Sequence, residues 1–101
     1  MSEQVAEIRF PMTNGEIAAQ FDEIAELLEA QHANEFRVRA YRQAANMVRD
    51  YPASIQNLWV LEGKAGLQAL PTIGSSLAQA IEQLSTVGHI ELLLRLRGET
   101  T

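Results

Sequence analysis

The chain has 101 residues, 47% of them hydrophobic, which suffices for one compact domain and falls short of two. With no cysteine and only His32 and His89 as imidazoles, a disulfide framework and a thiolate nucleophile are excluded, and a zinc site would lack strong ligands. The net charge of −5 argues at first against a polyanionic partner, but it is unevenly spread: residues 1–35 carry eight acids against Arg9, whereas residues 36–101 carry seven bases against five acids.

Residues 1–13 are read as an N-terminal tail. Within it Ala6, Ile8 and Phe10 alternate with Glu7 and Arg9 in a strand-like pattern that has no second strand to pair with, so the segment is loose, packed on the helices or paired with another chain. No apolar run approaches membrane-spanning length and the acidic start has no leader character, so a cytoplasmic protein without membrane contact is expected. Thr13 followed by Glu16 forms a capping box and Met12 can staple onto Ile17, which starts a helix at about Asn14. Ile17, Phe21, Ile24 and Leu28 form its apolar face, and Asp22, Glu23, Glu26 and Glu29 its outer side. That acidic run reads as a solvated face, with a partner-binding surface as the alternative.

Residues 31–34 break the pattern. Asn34 caps a second helix through Phe36, Ala40, Ala44 and Val48 that Pro52 stops. Ser54 opens a third, carrying Ile55, Leu58, Trp59 and Leu61, which the E-G-K-A-G turn at residues 62–66 is expected to end. Trp59 at helical spacing among Leu and Ile is read as a core residue rather than a base-stacking platform. A short helix at residues 67–70 follows, then a turn, then a helix with Leu77, Ile81 and Leu84 on one face. Beyond Gly88, expected to cap it, Ile90, Leu93 and Leu94 mark a last helix ending near Gly98. The expected fold is all-α, a compact bundle of five to six short helices over residues 14–98, with residues 99–101 as a C-terminal tail.

The turn at residues 70–74 organises the functional reading. Pro71 cannot extend the preceding helix, Gly74 is expected to supply the special angles of the turn, and Ser75 or Ser76 to cap the helix behind it. Residues 68–80 carry no charged side chain, so phosphate binding at the turn would rest on the amides and positive dipole end of a helix start. From the residues alone, a plain turn between two core helices is the favoured reading, because this turn chemistry is common. Earlier in the chain, Arg37 and Tyr41 share one helix face, and Arg42 and Arg49 another. Arg37 beside a tyrosine hydroxyl suits a terminal phosphate; the plainer reading puts Tyr41 in the core and pairs Arg37 with Glu35.

The sequence Leu-Pro-x-Ile-Gly followed by Leu77, Ala78 and Ile81 resembles the helix-hairpin-helix motif, whose amides hold DNA phosphates without reading bases. The block F-R-V-R-A-Y-R-Q-A-A at residues 36–45 resembles the second helix of the small N-terminal domain of family X DNA polymerases, bacterial versions in particular. The two blocks stand in the family's order and cover, with the preceding helix, residues 14–98. The resemblance implies a sequence-nonspecific DNA-binding module of DNA repair or replication. Its DNA contacts would come from Arg37, Tyr41, Arg42, Thr72, Ile73, Gly74, Ser75 and Ser76. It also implies an optional monovalent cation, Na⁺ or K⁺, on the backbone carbonyls of Gln68, Leu70 and Ile73, and further domains in a longer parent chain.

Two departures from the family matter. Its lyase lysine falls at Ala80 and the supporting lysines at Gln68 and Ser76, so no enzymatic activity is expected. Its usual glycine is replaced by Thr72, which either disfavours the turn's angles or crowds the phosphate, the alternative being that its hydroxyl donates to the phosphate. A protein-interaction or architectural domain that retains the fold with little DNA binding is the alternative function.

Overall fold

The computed structural model describes residues 6–98, which form five α-helices and, among the described residues, no strand. The expected C-terminal tail at residues 99–101 and the first five residues of the N-terminal tail lie outside the described residues. Helix α1 (Asn14–Ala30) starts as the sequence predicts. The Thr13 hydroxyl accepts from the Glu16 amide at 3.0 Å, and the Glu16 carboxylate accepts from the Thr13 amide at 2.9 Å. Asn14 then ties this start to the next layer, its Oδ1 accepting from the Ile55 amide (2.9 Å) and its Nδ2 donating to the Ala53 carbonyl (2.7 Å).

Helix α2 (Glu35–Asp50) is capped by the Asn34 side chain and stops before Pro52. It runs antiparallel to α1, since Arg42 reaches back to Glu29 and Arg49 further back to Asp22. Ala18, Ala25, Ala44 and Ala45 are fully buried, and their small side chains let the two helices approach closely around Phe21, Ile24 and Val48. The second antiparallel pair is α3 (Ile55–Gln68) with α4 (Ser75–Thr86), and α5 (Glu91–Arg97) closes against α1.

Helix α3 departs from expectation. In place of a five-residue turn ending the helix, one residue breaks it: Gly63 has φ +68° and ψ −165°, and helix resumes on either side. The helix after the break is the first arm of the hairpin. Gly66 passes so near the preceding turn that a Cβ there would stand 2.3 Å from Glu62 Cβ, which explains a glycine inside a helix. Trp59 lies in the core as predicted, 3% exposed, with its ring N–H donating to Glu82 at 3.1 Å.

The strand-like segment before α1 lies against α3 and α4. The amides of Arg9 and Phe10 both donate to the Ser85 carbonyl (2.7 and 3.2 Å). Gln56, 2% exposed, uses its whole amide here: Nε2 donates to the Phe10 carbonyl and Ser85 Oγ, and Oε1 accepts from the Met12 amide. Ala6, Ile8 and Met12 pack on the core while Phe10 stays 46% exposed beside Gly88. Gly88 has φ +86°, one residue beyond the capping Val87, as expected of a helix end.

Candidate nucleic-acid interface

The hairpin turn is built differently from its sequence reading. The Ile73 amide donates to the Leu70 carbonyl at 3.3 Å, Pro71 follows Leu70, and Thr72 has φ +69°, the pattern of a type II turn. Gly74, expected to provide the special angles, has φ −89° and ψ −171°, which any residue adopts. The left-handed position is Thr72, where a β-branched side chain is strained. The Ile73 side chain is 4% exposed and anchors the turn in the core.

A second correction concerns the cap of α4. Neither Ser75 nor Ser76 caps it; both lie inside the first turn, Gly74 is the cap residue, and no side chain bonds to that terminus. The Gly74 carbonyl accepts from the Ala78 amide at 2.9 Å, but the amides of Gly74, Ser75, Ser76 and Leu77 have no partner among the described residues. Nothing lies within 4 Å of where a Gly74 side chain would begin. These donors are therefore open at the positive end of a twelve-residue helix. The Ile73 amide, by contrast, is engaged within the turn.

Against this terminus stands the first turn of α2. Arg37, Tyr41 and Ser76 line two adjoining hollows. One, of about 260 Å³, also touches Ala40, Gly74, Ser75 and Leu77. The other, of about 320 Å³, continues along α4 and α5 past Gln79, Ala80, Gln83, Glu91 and Arg95. Arg37 makes no ion pair among the described residues, with Glu35 or any other acid. Tyr41 satisfies both of its readings. It is 6% exposed with its ring edge-on to Phe21 (centroids 5.9 Å apart), yet it lines both hollows and its hydroxyl has no protein partner among the described residues. Burial pushes the Tyr41 pKa up from its ordinary value, and the Arg37 charge works against that shift.

Arg42 is placed elsewhere. Its guanidinium pairs with Glu29 at 2.8 Å and lines neither hollow. Arg49 pairs with Asp22 at 2.6 Å, and Arg97 holds both Glu23 oxygens at 2.6 Å. The Arg97 hydrogen bonds lower the Glu23 pKa, outweighing a small desolvation effect. Three of the four acids on the outer side of α1 are thus held by arginines of this chain, so the surface is less free than a solvated acidic face would be.

Ala80 is 4% exposed in the wall of the larger hollow and brings no nucleophile; Lys64 is paired with Glu82 at 3.7 Å and lines neither hollow. Of the carbonyls expected to hold a cation, that of Leu70 already accepts from the Ile73 amide, and a carbonyl has a second lone pair. Sequence reasoning missed Gln79, Gln83 and Arg95 in the larger hollow. It also missed Phe36, 71% exposed, whose ring carries the Arg39 guanidinium 5.7 Å from its centroid. A signal existed for α4: Ser76, Gln79 and Gln83 recur at helical spacing opposite Leu77, Ile81 and Leu84.

Two helices around a tight proline turn, with the amides at the start of the second left without partners among the described residues, define a helical hairpin. The helix-hairpin-helix domain family matches residues 12–90, and the chain belongs to that family, whose domains generally bind DNA without sequence specificity. No curated protein matches the chain. Among the described residues no helix is long and apolar enough to cross a membrane.

Proposed function

We propose that this chain is a sequence-nonspecific DNA-binding module of the kind found at the N-terminus of family X polymerases, serving DNA repair or replication in the cytoplasm. The observation that carries the reading is the shared wall: Ser76, at the open start of α4, borders both hollows together with Arg37 and Tyr41. One strand can then rest a backbone phosphate on the amides of Gly74, Ser75 and Ser76 while a neighbouring or terminal phosphate meets Arg37 and Tyr41. The exposed Phe36 ring, on the residue before Arg37, suits stacking on an unpaired base. A Na⁺ or K⁺ on the carbonyls of Gln68, Leu70 and Ile73 is an optional part of the same seat.

The cations lining the hollows are Arg37 and Arg95, so the log of the binding constant should fall with the log of salt with a slope of about −1.5 to −2. Binding is weak and salt-sensitive. The protein-interaction alternative loses support, because its acidic surface on α1 is largely occupied by the chain's own arginines. No lyase chemistry is proposed: with Ala80 in the wall, borohydride should trap no covalent adduct on abasic DNA, and an adduct would overturn that statement.

Gly74→Ser tests the main reading. A serine at this cap position accepts a hydrogen bond through its Oγ from the amide of Ser76 or Leu77, raising stability by a few tenths of a kcal/mol. The same bond occupies the donors a phosphate would use. Fluorescence anisotropy at low salt with gapped, nicked and blunt DNA should show weaker binding by a protein that melts no lower than wild type. Unchanged affinity, or no wild-type binding at tens of micromolar protein, would reject the proposal.

A further inference from the structure

A third hollow, of about 520 Å³, shares no residue with the two beside Arg37. Ala6, Glu7 and Arg9 of the segment before α1, Trp59 and Gly63 of α3, and Val87 after α4 stand in its wall. Leu61, between the two α3 residues, is 80% exposed, more than any other large hydrophobic side chain among the described residues. Val60 (37%), Val87 (52%) and Phe10 (46%) are exposed too, and each either lines the hollow or adjoins a residue that does. Scattered singly, such side chains need no explanation; around one hollow they make the apolar part of a contact surface. Two charges complete it. Glu62, next to Leu61, and Arg9, on the rim, are both exposed, and neither makes an ion pair among the described residues.

We infer that this face binds a second copy of the chain about a two-fold axis, Leu61 of each copy entering the hollow of the other and its Glu62 meeting the other's Arg9. In an isologous contact whatever one copy offers the other must accept, and each pairing occurs twice. The surface meets that requirement: the projecting leucine has an acid beside it, and the hollow next to it has a base on its rim. Seating Leu61 against Trp59 and Val87 removes from water the aliphatic side chain that the fold leaves most exposed. Two reciprocal pairs of opposite charge fix the register and disfavour other partners more than they add to affinity. Nucleic acid does not fit here, because Glu7 and Glu82 in the same wall repel phosphate. None of these residues lines the hollows beside Arg37, so the contact leaves both copies' phosphate seats uncovered and stands independently of the DNA-binding reading.

Sedimentation equilibrium of the full chain without DNA, from about 10 µM to about 1 mM, is the test. Wild type should pass from monomer to dimer with a dissociation constant on the order of 100 µM, as befits a small contact. Leu61→Asp should weaken the dimer by about tenfold or more, while the melting temperature at low concentration barely moves because the position is exposed. Glu62→Arg and Arg9→Glu should each weaken it roughly threefold by setting like charges against each other, and the double variant, with the charges exchanged, should recover wild-type association. That recovery separates a specific contact from general stickiness. A chain still monomeric at about 1 mM overturns the inference and leaves the face to a different protein. A dimer indifferent to Leu61→Asp, or an exchange of charges that recovers nothing, overturns it as well by placing the contact elsewhere.

Discussion

Helices α1 and α4 begin in opposite ways. The start of α1 is finished by the chain itself: Thr13 and Glu16 satisfy each other's amides, Gln56 accepts from Met12, and Asn14 binds across to α3. The start of α4 has a glycine cap, no side-chain bond and a row of unpartnered amides in open space. A protein that can close a helix terminus this completely, and leaves another bare, separates stability from function along its own length. The bare end is the one beside Arg37 and Tyr41.

Breaking the closed end should give the largest effect. Asn14→Ala strands the Ile55 amide and the Ala53 carbonyl, costing about 2 kcal/mol and lowering the melting temperature by roughly 10 °C, with DNA affinity unchanged. Thr13→Ala should cost about 1 kcal/mol in the same melting experiment. Loss of DNA binding in either folded variant would mean the two ends are not separable.

At the open end the expected change is gentler and opposite in sign. Thr72→Gly removes a left-handed β-branched residue at some cost in unfolded-state entropy, so it should stabilise by roughly 0.5–1 kcal/mol. It also clears side-chain bulk from the approach to the amides, and anisotropy should show tighter DNA binding. A fall in stability on this substitution would show that the threonine relieves rather than stores strain.

The smallest effect concerns the Arg97–Glu23 pair, which is about one-third exposed and correspondingly modest. Because the folded state lowers the Glu23 pKa below 4.5, the pair's contribution is complete above that ordinary value and disappears as pH falls through the lowered one. The melting-temperature difference between wild type and Glu23→Gln should therefore be present at about pH 7 and vanish once the pH has fallen through the lowered Glu23 pKa. A difference that persists in acid would assign the stabilisation to packing instead of charge.

The sequence disclosed most of the architecture because its local signals agreed with one another. Thr13 with Glu16, Asn34, Ser54 and the periodicity of Ile17, Phe21, Ile24 and Leu28 each specify a helix without help from distant residues. Turn geometry was less legible. Gly74 was the obvious candidate for unusual angles, yet the order Leu70, Pro71, Thr72 already places Thr72 third in a type II turn, where φ must be positive. The five-residue turn expected at residues 62–66 contracts to a single break at Gly63, whose positive φ suits glycine, and helix resumes through Gly66. The site was least legible. Arg42 looked as available as Arg37, and only the antiparallel packing of α1 and α2 delivers it to Glu29. Arg95 joins the pocket from the last helix, a convergence that no local spacing encodes.

The bare hydrogen at Gly66 sets the pitch of everything downstream. With no methyl to accommodate, the chain beyond the Gly63 break folds back onto Glu62 and delivers Leu67, Leu70 and the proline corner to their seats in one piece. Enlarging that one atom would force Glu62 or the resumed helix to shift, and the shift would start from a buried position ahead of the proline corner. Gly66 is thus a remote tuning screw for the hairpin.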